Sequence, residues 1–234
     1  LWSLLRETLG TEVGLLGTNV NRVGRRAYPA QRTTPESYET QQWLRRMADE
    51  GCTHVVMEVS SHALCLHRVD GLTFGVGAFT NLTQDHLDFH KTMEAYRQAK
   101  GRLFAQCRGA VINGDDEAGK YYVNQLFPSA FTYAVNGPAD LRAREVALFA
   151  DRVTFSGETW EECVPVTVPI PGVFSVYNAL CVLSCARLLG VSLSRGAAAL
   201  AHVRGVKGRM EVVPIPGHGT VIIDYAHTPD ALEN

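Results

Sequence analysis

Short apolar runs alternating with segments of helical spacing constrain this chain more than any other feature. His54 to Val59, Phe74 to Thr80 and Gly109 to Asn113 each read as a buried strand. A helix carrying Lys100 separates the second run from the third, and another opens at Asp115-Asp116-Glu117. Strand alternating with helix at this spacing implies right-handed crossovers and an α/β fold with a doubly wound, mostly parallel sheet. The ends of the chain fit the same pattern. Leu1 to Leu9 reads as a helix stopped by Gly10, and Glu12 to Leu16 as a short strand. A polar, glycine-containing segment follows through Arg32. Thr34 then suits a helix N-cap, Pro35 the first helical position and Gly51 the stop.

Between about Phe131 and Ile170 the texture changes. Glu145 to Leu148, Arg152 to Phe155 and Cys163 to Ile170 are β-rich pieces between turns, which predicts a small added antiparallel sheet. Helices are expected over Ser175 to Leu189 and Ser194 to His202. Arg204, Gly205, Lys207, Gly208 and Arg209 precede a strand pair around Val212 and Val221 to Asp224, and a new helix is expected near Thr228-Pro229.

The stretch from Glu58 to Lys100 holds the chemistry. It contains Glu58, His62, His67, His86 and His90, the pair Asp85 and Asp88, and Lys100. Acids and imidazoles grouped after strand ends point to a cation site facing a cleft at the carboxyl edge of a sheet. For Asp85 and Asp88, helix capping and local turns are the alternative to a place in that site. Thr92 can cap a helix whose apolar residues fall at Met93, Tyr96, Leu103 and Cys107, and Lys100 sits in that stripe. Either its stem covers apolar surface while the amine reaches water, or the amine is desolvated, its pKa is depressed and it is available for chemistry. Thr33 and Thr34 either cap a helix or place hydroxyls before an anion-binding helix start.

With 234 residues, 46% of them hydrophobic, the chain can bury a real core. A net charge of -2 without a basic block argues against a nucleic-acid surface. No apolar run is long enough to span a bilayer, and no secretory leader is visible at the start. Cys52, Cys65, Cys107, Cys163, Cys181 and Cys185 lack metal-ligand spacing and read as reduced thiols of a cytoplasmic protein. The chain has no initiator Met and begins inside a helical pattern, so a fragment is expected. No Gly-rich loop with Gly-Lys-Ser/Thr occurs, so the residues alone do not make an NTP site.

The stretches MEVSSHAL, FTNLTQDHLDFH, YRQAKGRLF, INGDDE, PGVFSVYNAL, GRMEV and DYAHTPDAL nevertheless occur together and in this order. In this the chain resembles the Mur ligase family along nearly its whole length, and EVSSH with FTNLTQDHLD resembles the branch that adds a diamino acid. The resemblance implies a central ATPase domain without its phosphate loop over residues 1–208, and the start of an amino-acid-binding domain over 209–234. It implies ATP-dependent amide-bond formation in peptidoglycan synthesis, hence a role in cell shape and division. An acyl phosphate forms on UDP-N-acetylmuramoyl-L-alanyl-D-glutamate, and meso-diaminopimelate or L-lysine attacks it. Such an enzyme works as a cytoplasmic monomer, and the isolated piece would be inactive.

By the same resemblance, Glu58 and His86 are magnesium ligands and Lys100 is the lysine that becomes carbamylated and joins them. Thr33, Thr34, Ser60 and Arg68 correspond to contacts of the UDP-muramoyl-dipeptide. Asn178, Arg209 and Asp224 correspond to ATP contacts, with His227 a weaker candidate. Arg32, Leu66 and Ser175 depart from the family pattern, where Asn, Gln and Asn occur. A helix cap is the alternative for Asn178, and a hinge salt bridge for Arg209 and Asp224. Three other readings remain from the residues: another amino-acid ligase of the family, a divalent-metal hydrolase built on Glu58, His62, Asp85, His86 and Asp88, and a non-catalytic nucleotide-sugar binder.

Overall fold

A computed structural model describes residues 1–206, 208–215 and 219–226. Helix α1 (Trp2–Leu9) ends at Gly10, whose φ of 63° is the left-handed stop expected of a glycine there. Strands β1 (Val13–Leu16), β2 (Val20–Val23) and β3 (Arg26–Pro29) follow, then α2 (Ser37–Asp49), β4 (His54–Met57) and α3 (Ser61–Cys65). Next come β5 (Phe74–Phe79), α4 (Leu87–His90), α5 (Met93–Gly101), a 3₁₀ turn (Arg102–Gln106), β6 (Cys107–Asn113) and α6 (Glu117–Gln125). Strands β7 (Phe131–Ala134), β8 (Leu141–Leu148), β9 (Val153–Glu158) and β10 (Cys163–Val168) lead to α7 (Val173–Leu188) and α8 (Leu193–Leu200). A separate ladder of β11 (Glu211–Ile215) and β12 (Gly219–Ile223) closes the described chain.

The α/β class holds, with two corrections to the layout. The strands between residues 131 and 170 do not form a sheet of their own. They extend the parallel one, in the order β10-β9-β8-β7-β6-β5, with β5 through β8 parallel and β8 through β10 antiparallel. The separate, mostly antiparallel sheet is instead β3-β2-β1-β4, in which only β1 and β4 run parallel. Its β2–β3 hairpin occupies the polar, glycine-containing segment, to which no element had been assigned.

Strand β6 shows why the sheet must be covered on both faces. Val111 belongs to the main core, with Leu4, Leu5, Tyr133, Val176, Leu180 and Leu183. Its neighbours Ala110 and Ile112 belong to a second cluster on the opposite face, with Phe79, Phe104 and Tyr122. Successive residues of a strand point to opposite faces, so a continuous apolar run requires two apolar layers. Helix α7 supplies one layer. It is apolar around most of its circumference and packs between the sheet and α8. Strand β9 alternates buried and partly exposed residues instead, as a half-covered antiparallel strand should.

One helix start and one helix end differ from expectation. Helix α2 begins at Ser37 with Glu36 as its N-cap, and the Glu36 and Glu39 carboxylates exchange bonds with each other's backbone as a capping box. Thr34 therefore caps nothing. Helix α5 is capped by Thr92, which accepts from the Ala95 N–H, but it ends at Gly101. The apolar stripe thus reaches Lys100 within the helix, while Leu103 lies in the 3₁₀ turn and Cys107 in β6. Cys181 and Cys185 are buried, whereas Cys163 is exposed. Lys207, His227 and the helix expected near Thr228-Pro229 lie outside the described residues.

Helix α6 approaches β6 closely enough to test this packing. A Cβ on Gly119 would sit 1.9 Å from the Asn113 carbonyl oxygen, whereas one on Gly75 would meet nothing within 4 Å. Gly119→Ala is expected to cost about 1–3 kcal/mol through overpacking. Gly75→Ala should be near neutral, with thermal denaturation of the two variants as the comparison.

Candidate functional site

The parallel strands β5 and β6 end together, pairing Phe79 with Ile112, and side chains of the INGDDE motif gather the loops that follow. Asn113 donates from its amide to the Thr80 carbonyl at 2.8 Å and accepts from the Asp115 N–H at 3.0 Å. Asp116 accepts from the Leu82 N–H at 3.0 Å while capping α6 through the Ala118 and Gly119 N–H groups. Tyr133 donates to the Phe79 carbonyl at 3.2 Å. Asp115 accepts from the Val135, Asn136 and Gly137 N–H groups and from the Tyr177 hydroxyl. Burial alone would raise the Asp115 pKa, but these four bonds together hold it below the usual value.

A cavity of about 660 Å³ opens beside this edge. Among the residues lining it are Asn178, Arg209 and Asp224, the three nucleotide candidates from distant parts of the sequence. Asn178 lies in the second turn of α7, whose N-cap is Gly172, so it is no helix cap. Asp224 accepts from the Met210 and Ala226 N–H groups at 2.6 Å, and the Arg209 guanidinium stands 5.1 Å from the Tyr225 ring centre. Arg209 makes no ion pair among the described residues, so the hinge salt bridge is not formed there. Ser175 turns away: it is 3% exposed and donates to the Pro171 carbonyl. Thr80, Asn81, Thr83, Asn113 and Tyr177 also line the cavity, and sequence reasoning had not singled them out. The signal was available in the Thr and Asn residues that follow apolar runs at the carboxyl edge.

Lys100 lies in the last turn of α5. It is partly buried, its amine lies 5.3 Å from the Tyr96 ring centre, and no ion pair engages it among the described residues. Burial pulls its pKa below the usual lysine value, against the opposing pull of Asp116 and Asp85. His86 stands on the other side of Tyr96, with ring centres 6.0 Å apart. Its φ of 54° is a left-handed conformation uncommon for a residue with a side chain. The Asp85 carboxylate accepts from the His86 N–H, a local turn bond. His62 packs edge-on against His86 at 5.0 Å, and His90 stacks on Tyr96 at 4.7 Å while its Nε2 bonds the Ser61 hydroxyl at 2.8 Å. Burial first, then neighbouring imidazoles, hold His62 and His90 below the ordinary histidine pKa. His67 is elsewhere, paired with Asp70.

Glu58 follows β4 and lies among hydroxyls. Thr18 donates to its Oε2 from both Oγ1, at 2.6 Å, and the backbone N–H, at 3.2 Å. Thr33 meets the Thr18 hydroxyl at 3.0 Å. Thr34 is 1% exposed; its hydroxyl donates to the Glu58 carbonyl at 2.8 Å and accepts from the Ser60 N–H at 3.0 Å. Ser60 caps α3, accepting from the Ala63 N–H, which leaves its own proton available. Arg68 pairs with Glu36 at 2.8 Å and donates to the Thr34 carbonyl, while its Nε has no protein partner. Arg32 pairs with Glu36 as well, and the Leu66 side chain is exposed.

No group of three His, Cys, Asp or Glu side chains converges on one point among the described residues. That donor set suits a cation that keeps waters and shares ligands with phosphates better than one caged by protein. Glu58 Oε1 accepts no hydrogen bond among the described residues, and it approaches Gly17 so closely that a Cβ there would stand 2.8 Å from it.

Comparison with known proteins agrees with this architecture. Residues 2–186 match the Mur ligase middle domain. A UDP-N-acetylmuramoyl-L-alanyl-D-glutamate--2,6-diaminopimelate ligase of Geobacillus thermodenitrificans is 43% identical over 234 residues, covering 96% of this chain and 48% of the relative. Its namesake in Alkaliphilus metalliredigens is 46% identical over 227 residues, covering 95% and 46%. The solved structure of a ligase of the same name superposes with a TM-score of 0.85 at 29% identity, covering 99% of this chain and 48% of that one. The MurF ligase of Thermotoga maritima in complex with ADP shares the fold, with a TM-score of 0.71 at 17% identity and coverage of 99% and 52%. The chain thus spans about half the length of these relatives. With a sheet of this topology and a family match over most of its length, the chain belongs to the Mur ligase family, whose middle domain it contains.

Proposed function

We propose that the protein containing this chain is a MurE-type ligase. It uses ATP to join a diamino acid to UDP-N-acetylmuramoyl-L-alanyl-D-glutamate during peptidoglycan synthesis. The observation that carries this reading is the convergence of Asn178, Arg209 and Asp224 on one cavity at the carboxyl edge. The names of relatives 40–46% identical favour meso-diaminopimelate over L-lysine as the amine. Residues 1–208 form the ATPase domain and residues 209–234 begin the domain that supplies the amine, with activity requiring both and the phosphate loop. The enzyme acts in the cytoplasm as a monomer, and among the described residues no helix is long and apolar enough to cross a membrane.

In this mechanism the γ-phosphoryl group passes from ATP to the D-glutamate carboxylate. The amine attacks the resulting acyl phosphate, and an amide forms with release of ADP and phosphate. The cavity holds the nucleotide, with Asn178 facing the base and Arg209 and Asp224 at the junction with the next domain. Ser60 and Thr33 orient the acceptor, Arg68 offers a guanidinium to its acidic groups, and Thr34 braces the Glu58–Ser60 backbone. Glu58, His86 and carbamylated Lys100 would hold magnesium, which neutralises charge on the transferring phosphoryl. The uncharged amine, which desolvation favours, is the form that adds carbon dioxide; it gives up a proton to solvent, and the carbamate so made is an oxygen donor suited to magnesium. A metal hydrolase would instead require a converging protein cluster, which the His and Asp side chains do not form among the described residues.

In the full-length protein, ADP release should require magnesium, the muramoyl dipeptide and the diamino acid together. Lys100→Ala is expected to lower turnover by about 100-fold or more, and added short carboxylates should restore part of it. Full activity of that variant refutes the carbamate role. The buried amine also makes a stability claim. A lysine whose folded pKa lies below its unfolded value near 10.5 binds fewer protons in the folded state, so stability rises with pH up to that value. In CO₂-free buffer, Lys100→Met should therefore raise the melting temperature at pH 7. The gain should vanish above about pH 10.5, as read by calorimetry across pH.

A further inference from the structure

Thr18 stands between two groups that the proposed function treats separately. Its Oγ1 lies 2.6 Å from Glu58 Oε2 and 3.0 Å from Thr33 Oγ1. A hydroxyl carries one proton and a carboxylate can only accept. Thr18 must therefore donate to Glu58, and Thr33 must donate to Thr18. The chain has one direction, from Thr33 through Thr18 to the carboxylate, and its last link is of the short, charge-assisted kind.

The surroundings hold this relay in place. Gly17 N–H donates at 3.3 Å to the Asn21 side chain, which is 3% exposed, and Gly17 lets the carboxylate come close where a Cβ would not. From the other side Thr34 ties the main chain at Glu58 and Ser60 to the same loop. Residues 33 and 34 thus grip both the side chain and the backbone of Glu58. Moving that loop must move the carboxylate.

We propose that Thr18 is a positioning residue that couples binding of the acceptor at Thr33 to binding of a divalent cation at Glu58. With Oε2 held by Thr18, Oε1 is the Glu58 oxygen left without a hydrogen bond among the described residues. With its proton committed to Thr18, Thr33 presents lone pairs only, so it receives an amide N–H or a sugar O–H of the acceptor and does not donate to a phosphate or carboxylate oxygen. The identities of acceptor and cation rest on the proposed function; the relay rests on the bonds above.

The test uses full-length protein without ATP, so that no turnover occurs. Mn²⁺ affinity is read by electron paramagnetic resonance, with and without saturating UDP-N-acetylmuramoyl-L-alanyl-D-glutamate, and dipeptide affinity by calorimetry, with and without Mn²⁺. In the wild type each ligand should tighten the other by the same factor, about 5-fold or more. Thr18→Ser should keep that factor, and Thr18→Val should bring it to within about 2-fold of unity, a loss of coupling that linkage makes equal in both directions. Thr33→Val breaks the relay at its other link and should do the same, which preserves the test if Thr18→Val does not fold. Undiminished coupling in either valine variant, or none in the wild type, overturns the role of Thr18. A wild type that binds no dipeptide at all overturns the functional reading beneath it.

Discussion

The carboxyl edge of the sheet depends on three side chains at the end of β6. Asn113, Asp115 and Asp116 take up backbone groups from the loops after β5, β6 and β7 and from the first turn of α6. Strand ends leave donors and acceptors that the ladder no longer satisfies, and buried ones are costly unless paired. Short side chains that pair them tie three connections and a helix start into one rim. Asp115 also fastens Tyr177 of α7, so the helix bearing Asn178 is fixed to the same rim. The cavity at this edge is therefore shaped by residues that spend their polar atoms on backbone.

The remaining chemistry lies in polar atoms left unspent. Among the described residues Lys100 is desolvated without an ion pair, Glu58 keeps Oε1 without a hydrogen bond, Ser60 keeps a hydroxyl proton, and Arg68 keeps a buried Nε without a protein partner. In a folded protein such groups are few, because each lowers stability. Their gathering on loops after β4 and on α5, next to a rim where nearly everything is paired, separates the reacting part of the site from its scaffold.

Much of the fold was legible because it rests on local pattern. Gly10 stops α1, Thr92 caps α5, Asp116 caps α6, and the apolar runs became β4, β5 and β6. What escaped was non-local. The antiparallel strands joined the main sheet because β7 pairs in parallel with Leu141 and Arg142 of β8, and no feature within 141–148 names that partner. The β2–β3 hairpin places Arg22 and Asn21 in four-residue strands, too short and polar to stand out. Thr34 looked like a cap by position, but its hydroxyl served the Glu58–Ser60 backbone, while a pair of glutamates capped α2. Of the candidate site, the residue types and the odd placement of Lys100 could be read directly. Thr18 could not, since a threonine in a polar turn acquires meaning only when folding brings Glu58 within 2.6 Å.

Hydroxyls are well suited to that junction. An amine or guanidinium beside Glu58 would satisfy its charge and compete with a cation, whereas a threonine proton orients one oxygen and leaves the net charge in place. A main-chain N–H reinforces the same oxygen, so the carboxylate is held without being neutralised. The cationic side chains nearby obey the same division. Arg68 and Arg32 are both paired with Glu36, and Lys100, once desolvated, favours the uncharged amine. Among the described residues Glu58 thus keeps its carboxylate without a cationic partner, while Arg68 and Arg32 direct their guanidinium groups to Glu36.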